Sequence, residues 1–253
     1  MNLVKILYYQ HIRIGGTRSI RLKIKNKIVV IATNWDWGKK VFENLKKLNK
    51  EFVFILIENE KSFINFLKKC NPDLIFLVGW SHIISKNIVK RNSIYGIHPS
   101  DLPNYAGGSP IQHQIIDGLV RSKITLFEID SKIDNGKIIS KKPISLEGNL
   151  DQVLEEISRK SLVLINNFIK MNPEINKIKI SQNNKINNKK KVLLKRFKPE
   201  DGSIDKKTIP NLTTLELYNL IRCREFPYPN AYIEDKLGRL YFQKVDFKKF
   251  QKK

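Results

Sequence analysis

The segment Tyr95–Pro110, YGIHPSDLPNYAGGSP, places His98 among prolines and glycines, and a carboxylate follows at Asp134 in IDSKIDNGKII. An imidazole takes up and returns protons near neutrality, and a carboxylate beside it can fix its tautomer, so the two residue types together suit proton-transfer catalysis. Pro99 and Pro103 stiffen the loop, while Gly107 and Gly108 permit close backbone approach. Ser109–Pro110 predicts an N-cap followed by the first residue of a helix. Such a helix start, aimed back at His98, would favour an anion or a developing oxyanion. Taken singly, each residue has a plainer account: a loop histidine satisfying backbone groups, and a turn aspartate before Asn–Gly.

These loops need strands to hold them. Apolar runs with strand character occur at Ile28–Ala32, Phe52–Ile57, Leu74–Val78 and Ile94–Ile97. Val41, Phe42, Leu45 and Leu48 recur at helical spacing between the first two, and Phe63, Ile64 and Leu67 between the next two. Alternating strands and helices predict an α/β fold: a Rossmann-like, mostly parallel sheet with helices on both faces and ligands outside the carboxyl ends of its strands. Leu150, Val153, Leu154, Ile157, Leu164, Ile165 and Phe168 mark a long amphipathic helix that closes this unit. The chain then divides into an N-terminal extension or hairpin at 1–26, the main domain at 27–170, a polar linker at 171–192 and a small α+β appendage at 193–253. Thr213 and Glu216 predict a capping box there, and FPYPNAYI a turn into a terminal strand pair.

A net charge of +23 on 253 residues points to a polyanionic partner or to a solvated basic face. Runs such as KIKISQNNKINNKKK mix lysine with Asn and Ile and carry no interleaved aromatics, which argues against a stacking surface for single-stranded nucleic acid. No apolar stretch is long enough to span a membrane, and MNLVKILYYQHIRIGG lacks the features of a secretory signal, so a cytoplasmic location without membrane insertion is expected. Cys70 and Cys223 form no CxxC pair, and neither a metal site nor a disulfide is expected.

The histidine-containing HPSDLPNYAGGSP with the later DNG resembles the signature of the 10-formyltetrahydrofolate-dependent formyltransferases over roughly residues 28–146. KRFKPEDGSID and LYNLIRCREFPYPNAYI resemble the region after the catalytic domain in some members, and the architecture is most similar to the nucleotide-sugar N-formyltransferases. The resemblance implies transfer of a formyl group from N10-formyltetrahydrofolate, without a metal, to a primary amine. His98 would assist deprotonation of that amine, and Asp134 would orient His98. Trp80, His82, Ile83 and Asp130 would line the folate site, with Trp80 equally able to pack in the core, and Ser100, Tyr105, Ser109 and Gln112 would face the acceptor. Two positions depart from the family's pattern. An oxyanion-donating Asn is replaced by Gly96, for which Ser100, Asn104, a backbone N–H or water could substitute, and a frequent Arg is replaced by Ala106.

A nucleotide-linked amino sugar is the acceptor that the resemblance and the short C-terminal region imply, because a tRNA-directed member carries a substantial C-terminal barrel. Lys195, Arg196, Arg222 and Arg224 are candidate phosphate contacts, at least two of them expected to be solvated, and a homodimer is expected. The alternatives are a methionyl-tRNA formyltransferase-like enzyme, a formyltetrahydrofolate hydrolase and a folate-binding homologue impaired by Gly96.

Overall fold

A computed structural model describes residues 27–171, 193–248 and 250. The expected N-terminal extension lies outside these residues, as does the linker apart from Met171, which is helical. The chain runs β1 (Ile28–Ala32), α1 (Asp36–Leu48), β2 (Val53–Ile57), α2 (Glu60–Leu67), β3 (Leu74–Val78), α3 (Lys86–Arg91) and β4 (Ile94–His98). It continues through α4 (Pro110–Ile116), β5 (Arg121–Glu128), β6 (Ile138–Ser145) and α5 (Leu150–Met171), then α6 (Thr214–Arg222), β7 (Ala231–Asp235) and β8 (Gly238–Phe242).

β1 and β3 read IVVIA and LIFLV, apolar without alternation, as strands covered on both faces must be. The six-stranded sheet has the order β2-β1-β3-β4-β5-β6; β1 to β4 are parallel, and β5 pairs antiparallel with both β4 and β6. One face packs against α1 and α5 through Val41, Phe42, Leu45, Val153, Ile157 and Phe168. The other packs against α2 through Phe63 and Phe66. The expected helix faces are slightly rotated: Leu48 and Ile64 are exposed, and Phe66 takes the inward position. Strand order reverses direction between β1 and β3, and the crevice beyond their carboxyl ends is where a sheet of this kind takes ligands.

The appendage is bound to this body. Arg222, 4% exposed, donates from Nη1 to the carbonyls of Leu146 and Gly148, both at 2.8 Å. Buried Glu225 accepts the amide of Leu150 at the start of α5, and Cys223 lies within the main core. The capping box forms: Glu216 N–H donates to Thr213 Oγ1, and Thr213 N–H donates to Glu216 Oε2. β7 and β8 form a separate two-stranded sheet. Among the described residues no helix is long and apolar enough to cross a membrane.

Candidate active site

His98 is the last residue of β4 and is 7% exposed, its imidazole held between a backbone carbonyl and a carboxylate. Nε2 lies 2.8 Å from the Tyr105 carbonyl oxygen. A carbonyl can only accept, so Nε2 carries a hydrogen and the lone pair of the neutral ring sits on Nδ1. Nδ1 is 3.7 Å from Asp134 Oδ2. That oxygen also accepts the Gly107 amide at 2.8 Å, which fixes the carboxylate against the loop it serves.

The His98 loop is braced from several sides. Thr125 Oγ1 donates to the Ser100 carbonyl at 2.6 Å, and Ser100 Oγ donates to the Asn104 carbonyl at 2.7 Å. Lys141 bonds the Leu102 carbonyl at 2.6 Å and pairs with Asp101, which Lys123 also meets at 3.0 Å. Burial alone would push the Asp101 carboxyl up, but the hydrogen bonds and charges of Lys141 and Lys123 outweigh it and hold the group below the usual range. Gln114 on α4 donates to the carbonyls of Pro99 and Pro110, both at 2.8 Å, tying the helix to the loop. Thr125, Lys141 and Gln114 escape sequence reading because each acts across a non-local contact.

Residues after the undescribed stretch supply another wall. Leu194 N–H donates to the Ala106 carbonyl and its own carbonyl accepts Gly108 N–H, each at 2.8 Å. A Cβ on Gly107 would stand 2.5 Å from the Leu194 oxygen, and one on Gly108 2.4 Å from Arg196 Cα, so the paired glycines admit this strand of backbone. Ser109 does not cap α4. It sits at φ +51°, and its Oγ instead accepts Phe197 N–H at 2.9 Å.

The resulting cleft, about 580 Å³, contains both His98 and Asp134. Trp80, His82, Ile83 and Asp130 line it, as do Ser109 and Gln112. Trp80 also packs inward, its ring meeting Phe63 at 5.4 Å between centroids. Ser100 and Tyr105 are not brought to the cleft: the Ser100 hydroxyl is spent on Asn104, and the Tyr105 hydroxyl donates to Asp117 at 2.8 Å. Asn104 does not line it either, so neither side chain proposed to replace the missing oxyanion donor is in place. Ala106 is wholly buried against Leu102 and Phe127. Of the four basic candidates, only Arg196 lines the cleft. Lys195 stands 3.7 Å from Asp201, Arg222 is committed to carbonyls, and Arg224 stacks over Phe197 at 4.4 Å.

All three tryptophans line the same cleft. Trp35 packs on Tyr228 with centroids 5.0 Å apart, and burial pushes the Tyr228 hydroxyl up to about 12. The indole nitrogens of Trp37 and Trp80 are buried donors without a protein partner among the described residues. Such donors are costly unless a ligand or water completes them.

Residues 57–161 match the formyl transferase family. The chain is 29% identical, over 99% of its own length and 39% of the relative's, to the bifunctional polymyxin resistance protein ArnA of Wigglesworthia glossinidia brevipalpis. Its structure matches a methionyl-tRNA formyltransferase from Clostridium thermocellum with a TM-score of 0.75 at 26% identity, over 88% of this chain and 94% of that one. A 4-N formyltransferase from Francisella tularensis shares the fold, with a TM-score of 0.67 at 20% identity over 88% and 99%. The chain spans about a third to two fifths of the length of the curated relatives it matches.

Proposed function

We propose that the chain, whose residues 57–161 match the formyl transferase family, transfers a formyl group from N10-formyltetrahydrofolate to the primary amine of a nucleotide-linked amino sugar. The observation that carries this reading is one cleft holding the His98–Asp134 pair, the Trp35–Tyr228 aromatic face and the exposed cation of Arg196. Planar rings and a phosphate-bearing acceptor suit those groups.

The folate donor supplies a formyl group on a nitrogen that can leave once protonated. The cleft suits it in size and in lining: Ile83, Phe127, Ile129 and Ile133 are apolar, and Trp80 offers an unpartnered indole N–H. On the acceptor side, an ammonium cannot attack until it loses a proton. Nδ1 of His98 takes that proton, because Nε2–H is already committed to the Tyr105 carbonyl. Asp134 then faces an imidazolium, stabilises its charge, and keeps the ring oriented while Nδ1–H returns the proton to the departing nitrogen. Gly107 N–H holds the carboxylate in place throughout.

A methionyl-tRNA acceptor is the second reading. It is favoured by the likeness to the Clostridium thermocellum enzyme, and coverage of 94% of that chain removes length as an argument against it. The exposed Arg196 beside the aromatic face of the cleft supports the compact, phosphate-bearing acceptor. The test is mass spectrometry of a panel of nucleotide-amino sugars and initiator methionyl-tRNA, each incubated with N10-formyltetrahydrofolate. A formyl mass gain on an amino sugar, abolished by His98→Ala, is expected. Gain on tRNA alone overturns the choice of acceptor, and folate turnover without any amine identifies a hydrolase.

A further inference from the structure

Gly96 and His98 share one face of β4, and the residue directly opposite Gly96 on β5 is Phe127. The Phe127 ring is 2% exposed and stands edge-to-face with the His98 imidazole, centroids 6.5 Å apart at 90°. A Cβ on Gly96 would lie 2.7 Å from Phe127 Cε1 and 2.8 Å from Ile129 Cδ1, closer than carbon atoms pack. Gly96 itself has no left-handed backbone. Any side chain at position 96 therefore has to displace the ring opposite it.

Phe127 borders the cleft on one side and is packed on the others. Leu102 and Ala106 pack on it, with Ile129 and Ile138 beside them. Leu102 and Ala106 bracket the turn whose Tyr105 carbonyl holds His98 Nε2. One ring thus touches the catalytic imidazole and underlies the turn that sets its tautomer.

We propose that Phe127 is the positioning residue for His98 and forms a complementary pair with Gly96, giving this site an apolar wall where the family resemblance implies a side-chain amide. The inference rests on the formyl-transfer reading for its kinetic half only. Gly96→Asn alone is therefore expected to displace Phe127 rather than add an oxyanion donor to the present site, because its Cβ would stand 2.7 Å from that ring.

The experiment compares Phe127→Leu, Phe127→Ala, Gly96→Asn and the double variant Gly96→Asn/Phe127→Ala with the parent in thermal melting and in steady-state transfer. Phe127→Ala is expected to lower kcat about 100-fold, the scale of a displaced reacting group, with KM for the acceptor within about threefold. Phe127→Leu should recover much of that kcat. Gly96→Asn alone should melt well below the parent, and adding Phe127→Ala to it should raise the melting temperature, a sign reversal that marks the two positions as coupled neighbours. Unchanged kcat in Phe127→Ala overturns the positioning role while leaving formyl transfer intact. Additive melting shifts overturn the pairing, and they do so even if the parent formylates no amine, which would instead sink the functional reading and the kinetic half with it.

Discussion

Oδ2 of Asp134 faces Nδ1 of His98 at 3.7 Å while accepting Gly107 N–H at 2.8 Å, so one carboxylate oxygen links the imidazole to the glycine loop beneath it. Asp134 holds φ +47°, a left-handed conformation that Asn also adopts but Ala resists. Asp134→Asn therefore keeps the backbone and an acceptor for Gly107, and removes only the charge that stabilises an imidazolium. The expected outcome is a fall in kcat of about 100- to 10,000-fold with little change in melting temperature. Parallel steady-state and melting measurements check it, and near-normal kcat would remove Asp134 from proton transfer.

Arg196 and Arg222 have opposite fates, which makes them a paired test of acceptor binding. Arg196 is exposed on the cleft, so Arg196→Ala should raise KM for a nucleotide-linked acceptor about tenfold, a charged hydrogen bond's worth, at unchanged stability. Arg222 is buried and bonds the carbonyls of Leu146 and Gly148 as well as Asn219. Arg222→Met strands both carbonyls and should cost about 2–4 kcal/mol, lowering the melting temperature by roughly 5–10 °C. Its KM should stay within about threefold of the parent. Melting curves and acceptor titrations separate the two effects.

The division between Arg196 and Arg222 marks where sequence reading stops. β1, β3 and β4 are legible because unbroken apolar runs of this length are buried strands, and the long helix is legible from its spacing. The paired motif around His98 and Asp134 is legible because glycine and proline spacing records the loop's shape. What is not legible depends on register. Nothing local to Gly96 shows that Phe127 lies opposite, since that follows from pairing an antiparallel strand some thirty residues away. Likewise, a basic residue after the linker region can face the cleft or cap the main domain's carbonyls, and only the packing of α6 decides. Ser109 followed the N-cap pattern but gave its hydroxyl to Phe197, because a non-local donor was available.

Glu128, the last residue of β5, gives a pH-dependent prediction away from the reacting atoms. Burial pushes its carboxyl up from the ordinary value; Lys137 partly opposes this, and Asp130 adds to it. A carboxyl whose folded pKa exceeds its unfolded value of about 4.3 favours the fold when protonated. Its contribution is therefore fully present below about pH 4 and is lost as pH rises through the folded value. Gln resembles the protonated acid in shape and cannot ionise. Glu128→Gln should consequently leave the melting temperature unchanged near pH 4 and raise it by about 1–2 °C at pH 7 to 8. Melting curves across that range decide the matter: an equal shift at both ends would mean that packing rather than ionisation is responsible, and a fall at neutral pH would mean that the carboxylate's attraction to Lys137 outweighs its burial.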